Sequence, residues 1–478
     1  MRRGLPVIIA LAVAVGVAAC GGSSTPNATM QALSYFPGST PLVATIVTDS
    51  HSPAVQQALS QAQGSATDGA LIRQLVSQLA QRGISYDRDI RPLFGNPIAL
   101  GTVQASLSSS GSQPFLAAWV TRSASTLRSL ISKLRIHSTG THDGAKLYAS
   151  GRTVVAVDGA TLLVASSTST ITAALDRHAN GTGLGASAYA RDTGGLRGSL
   201  VTVFGDLTSA LSSTRAAAAG KIPWVAAIRG YGIGIATAGR NVTIRYHVDT
   251  GGRQLTSGQL PIATGSAAPA LAGSLPIELA LRDPAQSVDF VISAIQAADP
   301  AAYAKVVAAE AAVKATTGVS ISSLISSLSG DLRIESDGHT TLASSGLSDP
   351  SAFSSALAKL AQLSAAGGSS AIRALGSGFY AMHSGRTTLI VGVASNELVA
   401  GNATPAQLAA FASAPASPAA AGGGAVAFRL ALPSLLPLVL RNAPSAAEQQ
   451  ILSLLGTMSG AVQATTGGLT GSATLTAR

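Results

Sequence analysis

The chain has 478 residues, of which 46% are hydrophobic, 11% charged and 4% aromatic, with a formal net charge of +10. That length suits about three ordinary domains or two larger ones, and the hydrophobic share excludes a chain too polar to build a core. A single Cys excludes a disulfide framework and a Cys-based zinc cluster within one chain.

In chain order, Arg2 and Arg3 precede an uninterrupted run of apolar and small residues from Leu5 to Ala19. The run is shorter than the roughly 20 residues of a membrane span and has the proportions of a secretory leader. An N-terminal anchor, or a signal peptide cut elsewhere, would share these features. The sole Cys follows Val17, Ala18 and Ala19 directly and precedes a Gly, Ser and Pro stretch. This arrangement closely resembles the lipobox of bacterial lipoproteins. The resemblance implies that residues 1–19 are a cleaved lipoprotein signal peptide and that Cys20 carries the lipid. Residues 20–32 then read as a lipidated Cys and flexible tether. The expected location is the extracytoplasmic face of the cell membrane, held through the lipid on Cys20.

Without the leader, 29 basic residues stand against 21 acidic ones. An anionic membrane surface or acidic wall polymer would suit that excess. No run of five or more basic residues occurs, so a solvated surface accounts for it as well. Nucleic acid is not an expected partner, because basic and aromatic residues do not interleave.

The body reads as duplicated. The stretches from about Leu33 to Thr250 and from Ser274 to Arg478 share an order of landmarks. Each opens with an apolar strand pattern ending in Asp, at Asp49 and Asp283, and helical patterns follow. In the first, Leu71, Ile72, Leu75, Val76 and Leu79 share one helix face. Leu93 and Gly95 recur 235 positions later as Leu328 and Gly330. Ser150 to Thr153 is repeated as Ser384 to Thr387, each before an apolar strand, a turn, a second short strand and a helix with a Ser or Thr cap. Each half closes with a hairpin pattern, Tyr231 to Val248 and Gly460 to Thr476.

The expected fold class is therefore α+β: two tandem, duplicated domains, each a mainly antiparallel sheet with helices packed on one face. The boundaries are 33–250 for the first domain, 251–273 for a Gly, Ser, Ala and Pro-rich linker, and 274–478 for the second.

The segments Ile84 to Leu100, Gly151 to Leu175 and Tyr189 to Phe204 resemble DUF3352, an uncharacterised family of bacterial envelope proteins common in high-G+C Gram-positive organisms. The likeness covers most of the first half and only weakly the second. It implies an envelope location and brings no catalytic residues.

Motifs for chemistry are sparse. His137, His142 and Asp143 could offer two imidazoles and a carboxylate to a metal, but no distant third ligand of matching type is evident, and a turn with two exposed His explains them equally. Asp49, Ser50 and His51 are the residue types of a hydrolase triad, yet neighbours on a strand face opposite ways. Gly376 to Ala381 fits a loose dinucleotide fingerprint but precedes a strand pattern. Gly230, Gly232 and Gly234 lie within a β pattern and suit twist or close packing. All five Glu, at 278, 310, 335, 397 and 448, lie in the second half, so no paired Glu site can recur in both repeats. Trp119 and Trp224 suit either a ligand groove or a core, with the core favoured.

No metal or cofactor is expected, and no enzyme. The expected function is that of a lipid-anchored, extracytoplasmic, non-enzymatic protein that binds an envelope component or partner protein, or serves a structural role. The alternative is a carrier or sensor of a lipid or other apolar ligand, with an enzyme of unknown class third.

Overall fold

The computed structural model describes residues 26–57, 76–81, 83–103, 114–151, 153–211, 217–239, 241–253, 255–265, 268–271, 275–366, 371–384, 387–415, 423–439 and 455–477. The leader 1–19, Cys20 and the helical positions 71–75 lie outside them. The chain divides into two compact units, one formed by 1–214 with 228–249 and the other by 215–227 with 250–478.

Among the described residues the first unit contains ten strands: β1 Val43–Ile46, β2 Ile98–Thr102, β3 Phe115–Val120, β4 His137–His142, β5 Ala145–Ser150, β6 Thr153–Asp158, β7 Thr161–Ala165, β8 Val201–Asp206, β9 Gly230–Ala238 and β10 Asn241–Asp249. All pair antiparallel, in the spatial order β10-β9-β8-β1-β2-β3-β7-β6-β5-β4. The second unit repeats this with β11 Ile277–Arg282, β12 Leu328–Ser336, β13 Thr341–Leu347, β14 Ile372–Gly376, β15 Phe379–Ser384, β16 Thr387–Ala394, β17 Glu397–Gly401, β18 Val426–Ala431, β19 Leu455–Thr465 and β20 Gly468–Ala477. Its order is β20-β19-β18-β11-β12-β13-β17-β16-β15-β14. Every strand of the second unit takes the place of the strand ten earlier, so the duplication read from the landmarks is a duplication of topology.

The local reasons are visible in the sequence. Helix α1 spans Pro26–Leu33, α2 Ala124–Lys133 and α3 Thr168–Ala179. Ser123 and Ser167 cap α2 and α3, each hydroxyl accepting from the backbone N–H three residues on at 3.2 Å. Leu127, Leu130 and Ile131 on α2, and Ile171, Ala174 and Leu175 on α3, recur at helical spacing and are buried. Gly159 and Gly239, both at φ +58, lie in the tight turns of the hairpins β6-β7 and β9-β10.

The sheet is covered on both faces, which corrects the expectation of helices on one. Residues of β3 alternate between two cores: Leu116 and Ala118 pack with α1 and α3, whereas Ala117 and Trp119 pack with α2 and with Ile84, Ile90, Leu93 and Phe94. A run such as Phe115 to Val120, apolar at every position, has no side left for water. In the second unit, helix α8 (Pro350–Ala366) contributes Phe353 and Leu357 to one core, and α9 (Pro405–Ala412) contributes Leu408 and Ala412 to the other. A capping box between Thr404 and Gln407 starts α9.

Two boundaries shift. Residues 26–32, placed by composition in the tether, belong with Leu33 to α1, whose Ala32 and Leu33 are buried in the first core. The segment expected as a linker also packs. Leu255, Leu260, Ala263 and Leu271 are buried, and Leu271 sits against Ala280 of β11 and Ala427 of β18. Gln286 donates to the carbonyls of Ser257 and Ile262 at 2.8 and 3.1 Å. A few apolar residues, widely spaced, suffice to seat this stretch on the second unit.

Candidate functional site

In the first unit, the C-terminal turn of α3 gathers the polar groups. Its apolar face is spent on Ile171, Ala174 and Leu175, so Asp176, Arg177 and His178 are left to reach outward from the last turn. His178 Nδ1 lies 2.6 Å from the hydroxyl of Ser34, and its ring stacks on Tyr35 at 4.3 Å between centroids. Arg177 Nε donates to the Tyr35 carbonyl at 3.1 Å. The Tyr35 hydroxyl donates to Asp158 at the end of β6, at 2.8 Å. Burial, reinforced by the Asp158 carboxylate, pushes the Tyr35 phenol well above its ordinary range. Together these contacts bind the end of α1 to the end of α3.

Asp176 turns the other way. Its carboxylate lies 2.7 Å from His142 Nε2, and Asp143 lies 3.6 Å from the same nitrogen. The Asp176 hydrogen bond, with both carboxylates nearby, raises the His142 pKa above its ordinary value. His137 stays exposed at the far end of β4 and does not join this group.

In the second unit, a polar row crosses the sheet. Glu278 of β11 stands opposite both Arg429 of β18 and Glu335 of β12. Arg429 Nε donates to Glu278 at 2.7 Å. The two carboxylate residues are 3% and 1% exposed, while the Arg429 side chain is 37% exposed. By register, the same row of the first unit holds Val43, Gly101 and Phe204. One row down, Arg333 of β12 pairs with Glu397 at 2.8 Å, donates to the carbonyls of Ala412 and Ala414, and lies 5.5 Å from the centre of the Phe411 ring. Its counterpart is Ala99. The second repeat thus holds ion pairs where the first has apolar or small residues, and the further contacts of Arg333 tie the end of α9 to the sheet.

The remaining sequence candidates find ordinary places. Asp49 accepts from the His51 N–H at 3.0 Å, closing a turn, while His51 is exposed. Asp283, its counterpart, caps the helix that follows. Gly376 and Gly378 flank the turn of the β14-β15 hairpin, with φ of +90 and +79, so no helix follows them. Gly230, Gly232 and Gly234 let helix α4 (Ala186–Thr193) and the turn after it lie on β9: a Cβ on Gly232 would stand 1.9 Å from the Asp192 carbonyl oxygen. Trp119 packs on Phe94 in the core, and Trp224 is buried. Glu310 accepts from Ser320 and Ser322, and Glu448 lies outside the described residues.

What sequence reasoning missed is the Ser34, Tyr35 and His178 cluster, the Asp176 partner of His142, and the meeting of Glu278 with Glu335. Each joins residues brought together by helix docking or strand register, and none falls in a motif. A shallow cleft of about 280 Å³ lies beside α3, lined by Val103, Pro114, Ser167, Ser169, Thr170, Ala173 and Arg177. Among the described residues no helix is long and apolar enough to cross a membrane.

The architecture and these sites define a duplicated, antiparallel α+β protein with polar clusters at the ends of its helices. Residues 4–217 match the family described as "Protein of unknown function (DUF3352)". No curated protein matches the chain. Among solved structures, crystal forms III and IV of TP0453 align at 10% and 12% identity, over 47% and 45% of this chain and 81% and 79% of theirs, each with a TM-score of 0.27. A likeness at that score carries no argument about fold or function.

Proposed function

We propose that this is a lipid-anchored, extracytoplasmic, non-enzymatic binding protein, tethered through Cys20 and engaging a partner protein with the helical face of its second unit. The observation that carries the reading is the state of three helices between β11 and β12: α5 Pro284–Ala298, α6 Pro300–Thr317 and α7 Ile321–Ser326. Val291, Val306, Val307 and Ile321 on them are 39–54% exposed, and none of the described side chains of α6 is buried. Concentrated exposure of large apolar side chains marks an interaction surface. Few charges interrupt it, as at the core of an interface.

The cleft beside α3, lined mainly by Ser, Thr and Arg, does not itself suit an apolar cargo. The test has two arms on intact cells. Cys20→Ser is expected to abolish lipid labelling and release the chain from the membrane fraction; retention would overturn the anchor. A photoreactive residue at Val306 is expected to give a discrete protein adduct that the same residue at exposed His137 does not. Equal labelling at both positions, or none, would overturn the docking face.

A further inference from the structure

We propose that His142, Asp143 and Asp176 form a divalent-cation site on the first unit, with Zn²⁺ the fitting ion. The group comes from two elements. His142 ends β4 and Asp143 opens the turn into β5, while Asp176 reaches across from the last turn of α3, 34 residues away in sequence. A ligand atom from each of the three lies within 4.8 Å of the other two. The local pair alone offers too little to hold an ion, and the docking of α3 supplies the third ligand.

The separations suit a small borderline cation. Zinc bonds to imidazole nitrogen and carboxylate oxygen at about 2.0–2.1 Å, which places tetrahedral ligands about 3.3 Å apart. The distance from His142 Nε2 to Asp143 is 3.6 Å. The 2.7 Å contact to Asp176 is a hydrogen bond. With both side chains partly exposed, a small rotation opens it to the ligand spacing. One imidazole with two carboxylates favours zinc over calcium or magnesium, which take oxygen ligands alone. Three protein ligands leave a fourth position open to water or to a ligand atom from a partner.

The rest of α3 keeps the site in place without joining it. Arg177 and His178 are committed to Tyr35 and Ser34, so the helix end that presents Asp176 is fixed from its other side.

The test is equilibrium dialysis of the full-length chain in detergent against Zn²⁺, with bound metal measured by elemental analysis. One saturable equivalent is expected. His142→Ala and Asp176→Asn should each lower the affinity at least tenfold, and His137→Ala should leave it unchanged. Circular dichroism would establish that the variants are folded. Absence of saturable binding, or equal affinity in the His142→Ala chain, would overturn the site. Loss of affinity in His137→Ala comparable to that in His142→Ala would do the same, since His137 stands apart from it.

Discussion

Glu278 and Glu335 face each other on neighbouring strands β11 and β12, both buried, with Arg429 bonded to Glu278 from β18 on its other side. Arg429 gives the buried Glu278 carboxylate a charged hydrogen-bond donor. The Arg429 side chain is 37% exposed, so its replacement by Met should destabilise the second unit by about 1–3 kcal/mol, the order of loss when a buried acceptor is left without its donor. Pairing Arg429→Met with Glu278→Leu should recover most of that, and urea denaturation of the single and double variants would show whether it does.

Asp89 gives a pH dependence. Its carboxylate is 5% exposed, accepts from Lys133 Nζ at 2.6 Å and from the Ser85 N–H at 2.8 Å. The Lys133 hydrogen bond is the main reason its pKa falls below the ordinary value of 3.8. A carboxyl depressed in the folded state stabilises it above the unfolded pKa, and that contribution is lost as pH falls through the folded value. Thermal melts of wild type should therefore show a midpoint that drops on strong acidification. In Asp89→Asn the midpoint should be lower at neutral pH and fall less steeply towards acid.

Tyr35 has the opposite sign. Its phenol is raised, so the neutral form is favoured in the folded state, and its contribution is present below the ordinary value of 10.0 and lost as pH rises beyond it. Tyr35→Phe removes the donor to Asp158 and should cost about 1–2 kcal/mol at neutral pH. Alkaline difference spectroscopy should show one tyrosine fewer that resists ionisation than in wild type.

Gly232→Ala should be among the most damaging small substitutions in the first unit. The added methyl would meet the Asp192 carbonyl at 1.9 Å and the His247 ring at 2.7 Å, so α4 must lift from the sheet. A loss of about 2–3 kcal/mol is expected from overpacking of this kind. Gly239→Ala, in an open turn, should cost less; a comparison of melting temperatures separates the two.

Much of the fold was legible because its signals are local. Hairpin turns, Ser167 and Thr404 at helix starts, and the repeated Leu and Gly of the strand entry lie within short stretches of chain, and together they revealed the duplication. The covering of both sheet faces was available in principle from the unbroken apolar run Phe115 to Val120. The role of Pro26–Leu33 was not, because a short polar-looking helix owes its order to the core that receives Leu33. The clusters were illegible for a related reason. Asp176 reaches His142 across the docking of α3 on the sheet, and Glu278 meets Glu335 only once β11 and β12 take their register.

The ordering of α1 sets the length of the leash. From Cys20 to Pro26 is six residues, which at about 3.3–3.6 Å each can span no more than roughly 20 Å. With a lipid on Cys20, as proposed, the first repeat is confined to a thin layer next to the bilayer, whatever path residues 21–25 take. Its encounters are then two-dimensional: lipid headgroups and neighbouring membrane proteins fall within its radius, and partners far from the bilayer do not.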